Sequence, residues 1–170
     1  KKALQAIKEG QSLCKERVPS SVISIFVSRF DRKCDAKMKE CGLEPGRLGI
    51  YNAQYIYRLI ENEHIPNTRT LFASTGVKGD SYPPTYYVDN LMFANCINTI
   101  PTSTIDALLK NRNKEIIRPK SISDLEDYFA LICKKEFNLD SIYKELMDEG
   151  LQAFKVAFSD MLKAIEQKRG

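Results

Sequence analysis

Two cationic side chains stand where two apolar, strand-like segments of this 170-residue chain end. Arg29 follows the first segment, and Lys78 follows the second after a short run of small and hydroxyl-bearing residues. Arginine offers a planar fork of N–H donors and lysine offers a point charge, and both groups bind phosphate. Gly76 and Gly79 would let backbone N–H groups approach the same anion. These residue types indicate an anion site that two strand ends share.

The lysine does not belong to a phosphate-loop motif. That motif needs G-x-x-x-x-G-K-[ST], whereas the glycines around Lys78 have a different spacing and no hydroxyl follows the lysine. The alternative to an anion site is that each cation pairs with a surface acid such as Asp31 or Asp80. Cations at strand ends are common, so the spacing alone leaves the two interpretations balanced.

The elements that must position these cations alternate between strand and helix patterns. Apolar spacing predicts strands over 22–27, 70–74 and 95–99, and helices over 2–16, 31–40, 48–61, 104–110 and a short one within 83–94. Ser103 with Asp106 predicts the cap of the helix over 104–110. This alternation indicates parallel βα units, from either a doubly wound sheet or a (β/α)8 barrel. Both folds bind ligands at the carboxyl ends of their strands, where Arg29 and Lys78 would lie.

The pattern becomes purely helical after Pro119. Ser123 with Glu126 predicts a capping box for a helix that runs to about Phe137. A last, long helix carries an apolar stripe formed by Met147, Leu151, Phe154, Phe158, Met161 and Ile165. A coiled-coil seam and a cofactor pocket are alternatives, but packing on the body of the same domain is favoured.

The composition, 43% hydrophobic and 28% charged, is typical of a soluble globular protein. The apolar runs are too short to span a membrane, and no secretory segment is visible. The five cysteines form no C-x-x-C pair, which favours reduced thiols in a cytosolic protein over a disulfide frame or a metal site. Residues 1–40 hold ten basic and five acidic residues, but no nucleic-acid-binding motif accompanies this excess. His64, the one histidine, is predicted to be a solvated loop residue.

Four segments together resemble bacterial transaldolases. They are SVISIFVSRFD, LFASTGVKGDSYPPTYYVDNL, INTIPTSTIDAL and DEGLQAFKVAFSDML, in chain order, and they extend over nearly the whole chain. The resemblance implies an α/β fold, the C-terminal part of a (β/α)8 TIM barrel, with three parallel strands, flanking helices and extra C-terminal helices. We expect residues 1–170 to be one domain fragment, with βα units over 1–110 and C-terminal helices over 111–170.

The resemblance implies an enzyme of the pentose phosphate pathway that works in the cytoplasm without a cofactor or a metal. Transaldolases transfer a dihydroxyacetone unit between ketose and aldose phosphates through a lysine Schiff base. Sedoheptulose 7-phosphate and glyceraldehyde 3-phosphate give erythrose 4-phosphate and fructose 6-phosphate. Carried over by position, the match makes Arg29 and Lys78 the phosphate-binding residues and Ser24, Phe26 and Ser74 the lining of the substrate pocket.

One part of the family pattern is missing. The Schiff-base lysine lies on the family's fourth strand, in a stretch resembling Lys-Ile-Pro-Ala-Thr, and this chain has no such stretch. The proton-handling acids of the first and third strands are also absent. We therefore expect this chain to be the C-terminal half of a transaldolase and to be inactive alone. Its expected partners are sugar phosphates and the missing N-terminal half of the same barrel, and neither nucleic acid nor a membrane is expected. Homo-oligomerisation is left open. The alternatives are a non-catalytic phosphosugar-binding or interaction module and an aldolase acting on a free sugar.

Overall fold

The computed structural model describes residues 1–110, 115–135 and 137–169. Residues 111–114, 136 and 170 of the expected C-terminal helical segment lie outside the described residues. The elements are α1 (Lys2–Ser12), β1 (Ser21–Phe26), α2 (Ser28–Glu40), α3 (Leu48–Asn62), β2 (Thr68–Ala73), α4 (Tyr86–Asp89), β3 (Cys96–Asn98), α5 (Thr102–Lys110), α6 (Ile122–Lys134) and α7 (Leu139–Arg169). The contacts divide the chain into two units, Lys1–Phe129 and Ala130–Gly170.

The first unit is built on a three-stranded parallel sheet in the order β1-β2-β3. Strands β1 and β2 pair over their full lengths, from Ser21 opposite Thr68 to Phe26 opposite Ala73, and β3 pairs with the other edge of β2. Helices connect the parallel strands, as this pairing requires. The predicted strands and the α/β class with a parallel sheet are confirmed.

One face of the sheet carries the core. Ile25 of β1 and Phe72 of β2 are buried and lie opposite each other in the register. They form a cluster with Ala53 and Tyr57 of α3, and the Tyr57 and Phe72 ring centroids lie 6.2 Å apart. The Tyr57 hydroxyl donates a hydrogen bond to the Ala94 carbonyl at 2.9 Å. Strand positions that face α3 are therefore buried because period-two alternation points them all to one side.

The opposite face of β1 is open to solvent. Val22 is 49% exposed and Phe26 is 41% exposed, and Ser24 between them is also exposed. These three side chains share one face because they alternate along the strand.

Two predicted helix starts are wrong by a few residues. α2 begins at Ser28 rather than near residue 31, because the Ser28 N–H bonds to the Ser74 carbonyl as soon as β1 ends. The cap of α6 is Ser121 with Asp124 rather than Ser123 with Glu126: the Asp124 N–H donates to Ser121 Oγ at 3.0 Å. Two overlapping Ser-x-x-acid patterns compete there, and the first one forms the cap.

The predicted cap of α5, Ser103 with Asp106, is also wrong. The N–H groups of Thr104 and Ile105 reach the Pro101 carbonyl at 3.0 and 3.1 Å, so Ser103 already lies inside the helix. The residue that precedes the helix is a proline, which has no side-chain acceptor, so backbone bonds begin the helix without a hydroxyl cap.

The second unit contains the long helix α7. Its predicted apolar stripe is exposed: Met147 is 71% exposed and Phe154 is 61% exposed, and the same holds for Leu151, Phe158, Met161 and Ile165. The stripe is therefore uncovered within its own unit, and its packing on the body of the domain stays a prediction. Helical spacing of apolar residues indicates that a face is to be covered, but it does not say by what.

None of the helices in the described part of the chain is both long enough and apolar enough to cross a membrane. The same residues contain no group of three or more His, Cys, Asp or Glu side chains arranged to hold a metal ion.

Candidate anion site at the strand ends

Hydrogen bonds continue past the carboxyl ends of β1 and β2 and hold the two segments together. The Val27 N–H donates to the Ala73 carbonyl, and the Ser28 N–H donates to the Ser74 carbonyl, both at 3.0 Å. The hydroxyl oxygens of Ser28 and Ser74 lie 3.0 Å apart and share a hydrogen bond. The first turn of α2 is therefore joined to the end of the neighbouring strand, and both hydroxyls lie at one edge of the sheet.

Arg29 lies in this first turn of α2. Its guanidinium carbon lies 4.4 Å from the centroid of the Phe26 ring, a cation–π contact with the last residue of β1. Within the described residues, Arg29 forms no ion pair. The helix dipole at this N-terminus also favours an anion. The side chain is partly buried, positioned by an aromatic ring, and its charge is not neutralised.

Ser74 adopts a backbone conformation that a serine rarely takes. Its φ is +57°, in the left-handed region, directly after β2 ends. In this conformation the Ser74 side chain reaches the Ser28 hydroxyl. Strained positions of this kind persist where surrounding contacts fix them and often occur at functional sites.

The residues after Ser74 are fixed against the end of β3. Thr75 is fully buried, and its hydroxyl donates to the Thr99 carbonyl at 2.6 Å. At Gly76, a Cβ would lie 2.7 Å from Cγ of Pro101, so a side chain there would displace the proline. The start of the loop is therefore rigid.

Lys78 lies further along this loop and is exposed. It makes no ion pair or hydrogen bond with the described residues, Asp80 included. Gly79 follows with a φ of +72°, which glycine adopts at little cost. The structure thus brings Phe26 and Arg29 into contact and joins Ser74 to Ser28, with Ser24 on the same exposed face of β1, but Lys78 remains in solvent.

Sequence reasoning misinterpreted one residue of this region. Asp31 was interpreted as a surface acid for a cation, but it is fully buried and accepts a hydrogen bond from the Gly49 N–H at 2.8 Å. Burial raises the pKa of its carboxyl to about 7, although the Gly49 hydrogen bond opposes the shift. The surface ion pairs that would explain the two cations without a ligand are absent from the described residues.

Sequence reasoning also missed Ser28. A small hydroxyl residue directly before the cation, at the end of a buried strand, was the available signal. Its partner Ser74 lies 46 positions away, so only the parallel pairing of β1 with β2 reveals the two-hydroxyl contact.

The fold and the site define a parallel α/β protein that presents hydroxyls and an unneutralised arginine at the carboxyl ends of neighbouring strands. A family model described as Transaldolase/Fructose-6-phosphate aldolase matches residues 1–165. The chain belongs to this family.

Curated relatives agree with this assignment. A transaldolase of Campylobacter jejuni subsp. doylei is 41% identical over 163 residues, which cover 94% of this chain and 46% of the relative. A transaldolase of Helicobacter pylori strain P12 is 38% identical over 155 residues, which cover 91% of this chain and 48% of the relative. The chain therefore spans about half the length of the curated relatives it matches.

Proposed function

We propose that this chain is the C-terminal part of a transaldolase (β/α)8 barrel that binds the phosphate of its sugar substrates through Arg29 and Lys78. The rest of the barrel supplies the Schiff-base lysine and the proton-handling acids. The completed barrel, meaning residues 1–170 together with an N-terminal half, transfers a dihydroxyacetone unit between sugar phosphates in the cytoplasmic pentose phosphate pathway. Residues 1–110 contribute βα units and residues 111–170 contribute helices.

The observation that carries this proposal is the position of Arg29. A partly buried guanidinium lies over the Phe26 ring in the first turn of α2, with no carboxylate partner among the described residues. A guanidinium in this position can bind two phosphate oxygens at once, with added support from the helix N-terminus. Its location at the carboxyl end of a parallel strand is where barrel enzymes place their substrates.

Lys78 supplies the second charge. Its loop is anchored at one end by the Thr75 hydrogen bond to the Thr99 carbonyl, while Lys78 and Gly79 are exposed. A long, flexible side chain on such a loop can turn toward a bound phosphate without breaking an existing ion pair. The lysine therefore acts as a point charge that closes on the anion after Arg29 has bound it.

Ser24, Phe26 and Ser74 form the pocket wall next to the phosphate. The exposed face of β1 carries Ser24 and Phe26, and Ser74 reaches the same edge of the sheet. Hydroxyls of this kind suit the hydroxyl groups of a sugar, and the aromatic ring suits its carbon face. Binding energy gained at the phosphate orients the substrate carbonyl toward the lysine of the N-terminal half.

Reconstitution tests this function. Residues 1–170 are combined with the N-terminal half of the Campylobacter jejuni subsp. doylei relative, and transfer of the three-carbon unit is measured. We expect activity only in the mixture, because neither half alone has both the Schiff-base lysine and the phosphate-binding residues. The C-terminal half of that relative is the matched positive control.

The same experiment distinguishes the second candidate, a non-catalytic phosphosugar-binding module. That candidate uses the same cations, Arg29 and Lys78, to bind a phosphosugar without turnover. Sugar-phosphate binding by residues 1–170 without transfer in the mixture, while the control pair is active, would favour the module and contradict the enzyme.

A further inference from the structure

Asp31 is a buried acid with no direct place in the proposed phosphate site. It lies on α2, two residues after Arg29, and none of its surface is exposed. A carboxyl group in the interior is costly unless hydrogen bonds or charges compensate it. Asp31 lies in the interior two residues from the proposed phosphate-binding arginine, so the contacts of its carboxyl bear on the position of that arginine.

The carboxyl joins α2 to the start of α3. Its Oδ1 accepts a hydrogen bond from the Gly49 N–H at 2.8 Å, and Gly49 lies in the first turn of α3. A Cβ on Gly49 would lie 2.4 Å from the Val27 carbonyl oxygen and 2.9 Å from Oδ2 of Asp31. The first turn of α3 therefore approaches the β1–α2 connection so closely that only glycine fits at position 49.

These contacts hold the first turn of α2 from two sides. On one side, Ser28 bonds to Ser74 at the end of β2; on the other, Asp31 bonds to Gly49 of α3. Arg29 lies between the two attachment points in the sequence. The direction of its guanidinium therefore depends on both attachments, in addition to its contact with Phe26.

The next acid on α2, Asp35, binds a different part of the chain. Asp35 accepts the Gly46 N–H and the Tyr82 hydroxyl, both at 2.7 Å. These partners lie in the loop before α3 and in the segment before α4, and Asp35 itself lies about one helical turn after Asp31. Asp35 is therefore a matched control for a hydrogen-bonded acid on the same helix.

We propose that Asp31 is a positioning residue for Arg29: its hydrogen bond to Gly49 fixes the first turn of α2 so that the guanidinium faces the substrate phosphate. The proposal rests on the proposed phosphate-binding role of Arg29. It assigns to α3, through Gly49, a part in setting phosphate affinity.

The test is a double-mutant cycle in the completed barrel. Asp31→Leu keeps the size and shape of the side chain but removes the acceptor, and Asp31→Asn keeps an oxygen acceptor for Gly49. Each is made alone and together with Arg29→Ala, with Asp35→Asn as the control. KM and kcat are measured with a phosphorylated ketose donor and with the matching non-phosphorylated ketose.

We expect Asp31→Leu to raise KM about tenfold for the phosphorylated donor and less than about twofold for the plain ketose. In the Arg29→Ala background, Asp31→Leu should add less than about twofold, because the residue it positions is already gone. Asp31→Asn should restore KM to within about threefold of the parent, since the acceptor is kept, and Asp35→Asn should leave the donor preference unchanged.

Three outcomes would overturn the inference. Equal losses with both donors would mean that Asp31 only supports the fold, and additive effects with Arg29→Ala would mean that it acts independently of that residue. If Arg29→Ala itself fails to discriminate between the donors, the proposed phosphate role falls and this inference falls with it. Asp31→Ala serves as a second replacement if the leucine variant does not fold.

Discussion

At the scale of single residues, the site is defined by what surrounds each charge. Arg29 lies over an aromatic ring without a carboxylate partner in the described part of the chain, so its charge remains available to a ligand. Asp31, two residues on, is buried and bound to Gly49. The two charges are close in sequence, yet burial and hydrogen bonding give them opposite environments.

The raised pKa of Asp31 predicts how stability depends on pH. Burial raises this pKa to about 7, against 3.8 for a free carboxyl, and Asp35 adds to the rise while Gly49, Tyr87 and Arg47 oppose it. The folded state therefore holds the proton more tightly than the unfolded chain does. Stability from this group is fully present below about pH 4 and is lost as pH rises toward 7.

In the completed barrel, Asp31→Asn should remove this loss. Between pH 5.5 and pH 8, the Asp31 carboxyl should cost the parent about 2 kcal/mol of its free energy of unfolding, and the variant should not show this loss. Urea unfolding at the two pH values measures the difference, with Asp80→Asn, which replaces an exposed aspartate outside α2, as the control that keeps the parent's pH dependence. Identical pH dependence in Asp31→Asn and the parent would show that Asp31 titrates normally.

At the scale of elements, close contacts decide where helices can lie. α3 reaches the β1–α2 connection through Gly49, where a Cβ would lie 2.4 Å from a backbone carbonyl oxygen. Backbone atoms cannot move aside as the end of a flexible side chain can. The packing of α3 against β1 therefore depends on one glycine.

Gly49→Ala should destabilise the protein by about 1–3 kcal/mol, because overpacking forces the backbone of α2 or α3 to move. Gly10→Ala is the matched control: it is also a helix glycine, in α1, but nothing lies within 4 Å of the position of its Cβ. The control should stabilise by about 0.5–1 kcal/mol through helix propensity. Thermal unfolding of both variants compares them, and equal effects of the two substitutions would contradict the close-packing argument.

The elements also show which parts of the fold the sequence could predict. Apolar runs predicted the three strands, because burial on a sheet selects such residues, and the alternation of strands with helices predicted their parallel arrangement. The cap of α6 was misplaced because Ser121 and Ser123 each begin a Ser-x-x-acid pattern. The burial of Asp31 could not be predicted, since its partner lies 18 residues away on another helix.

The candidate site was predictable only in part for the same reason. Arg29 could be placed at a strand end from the sequence because it directly follows an apolar run. The Ser28–Ser74 contact and the ring beneath Arg29 depend on strand register and side-chain direction, which the sequence pattern does not specify. The proposed joint role of Lys78 remains a prediction, since the lysine is exposed and away from described partners.

At the scale of the whole molecule, the chain presents surfaces that suit a larger assembly. The face of β1 that carries Val22 and Phe26 is exposed, and so is the apolar stripe of α7. Exposed apolar faces of this extent mark interaction surfaces. The chain spans about half the length of its transaldolase relatives. We therefore infer that the rest of the barrel covers the β1 face.

The most direct test of the central claim is to remove each phosphate-binding cation from the completed barrel. Arg29→Ala and Lys78→Ala should each lower kcat/KM for a phosphorylated donor. The decrease should correspond to about 1.5–3 kcal/mol of lost transition-state stabilisation, the range for hydrogen bonds to charged groups. The loss should appear mainly in KM, because a phosphate away from the reacting carbon is bound alike in the ground and transition states.

A non-phosphorylated donor is measured alongside, and Arg32→Ala, an exposed cation on the same helix, is the control. The account predicts a much smaller loss with the non-phosphorylated donor in both variants and no donor-dependent change in the control. Equal losses with the phosphorylated and the plain sugar would contradict the phosphate-binding role of Arg29 and Lys78.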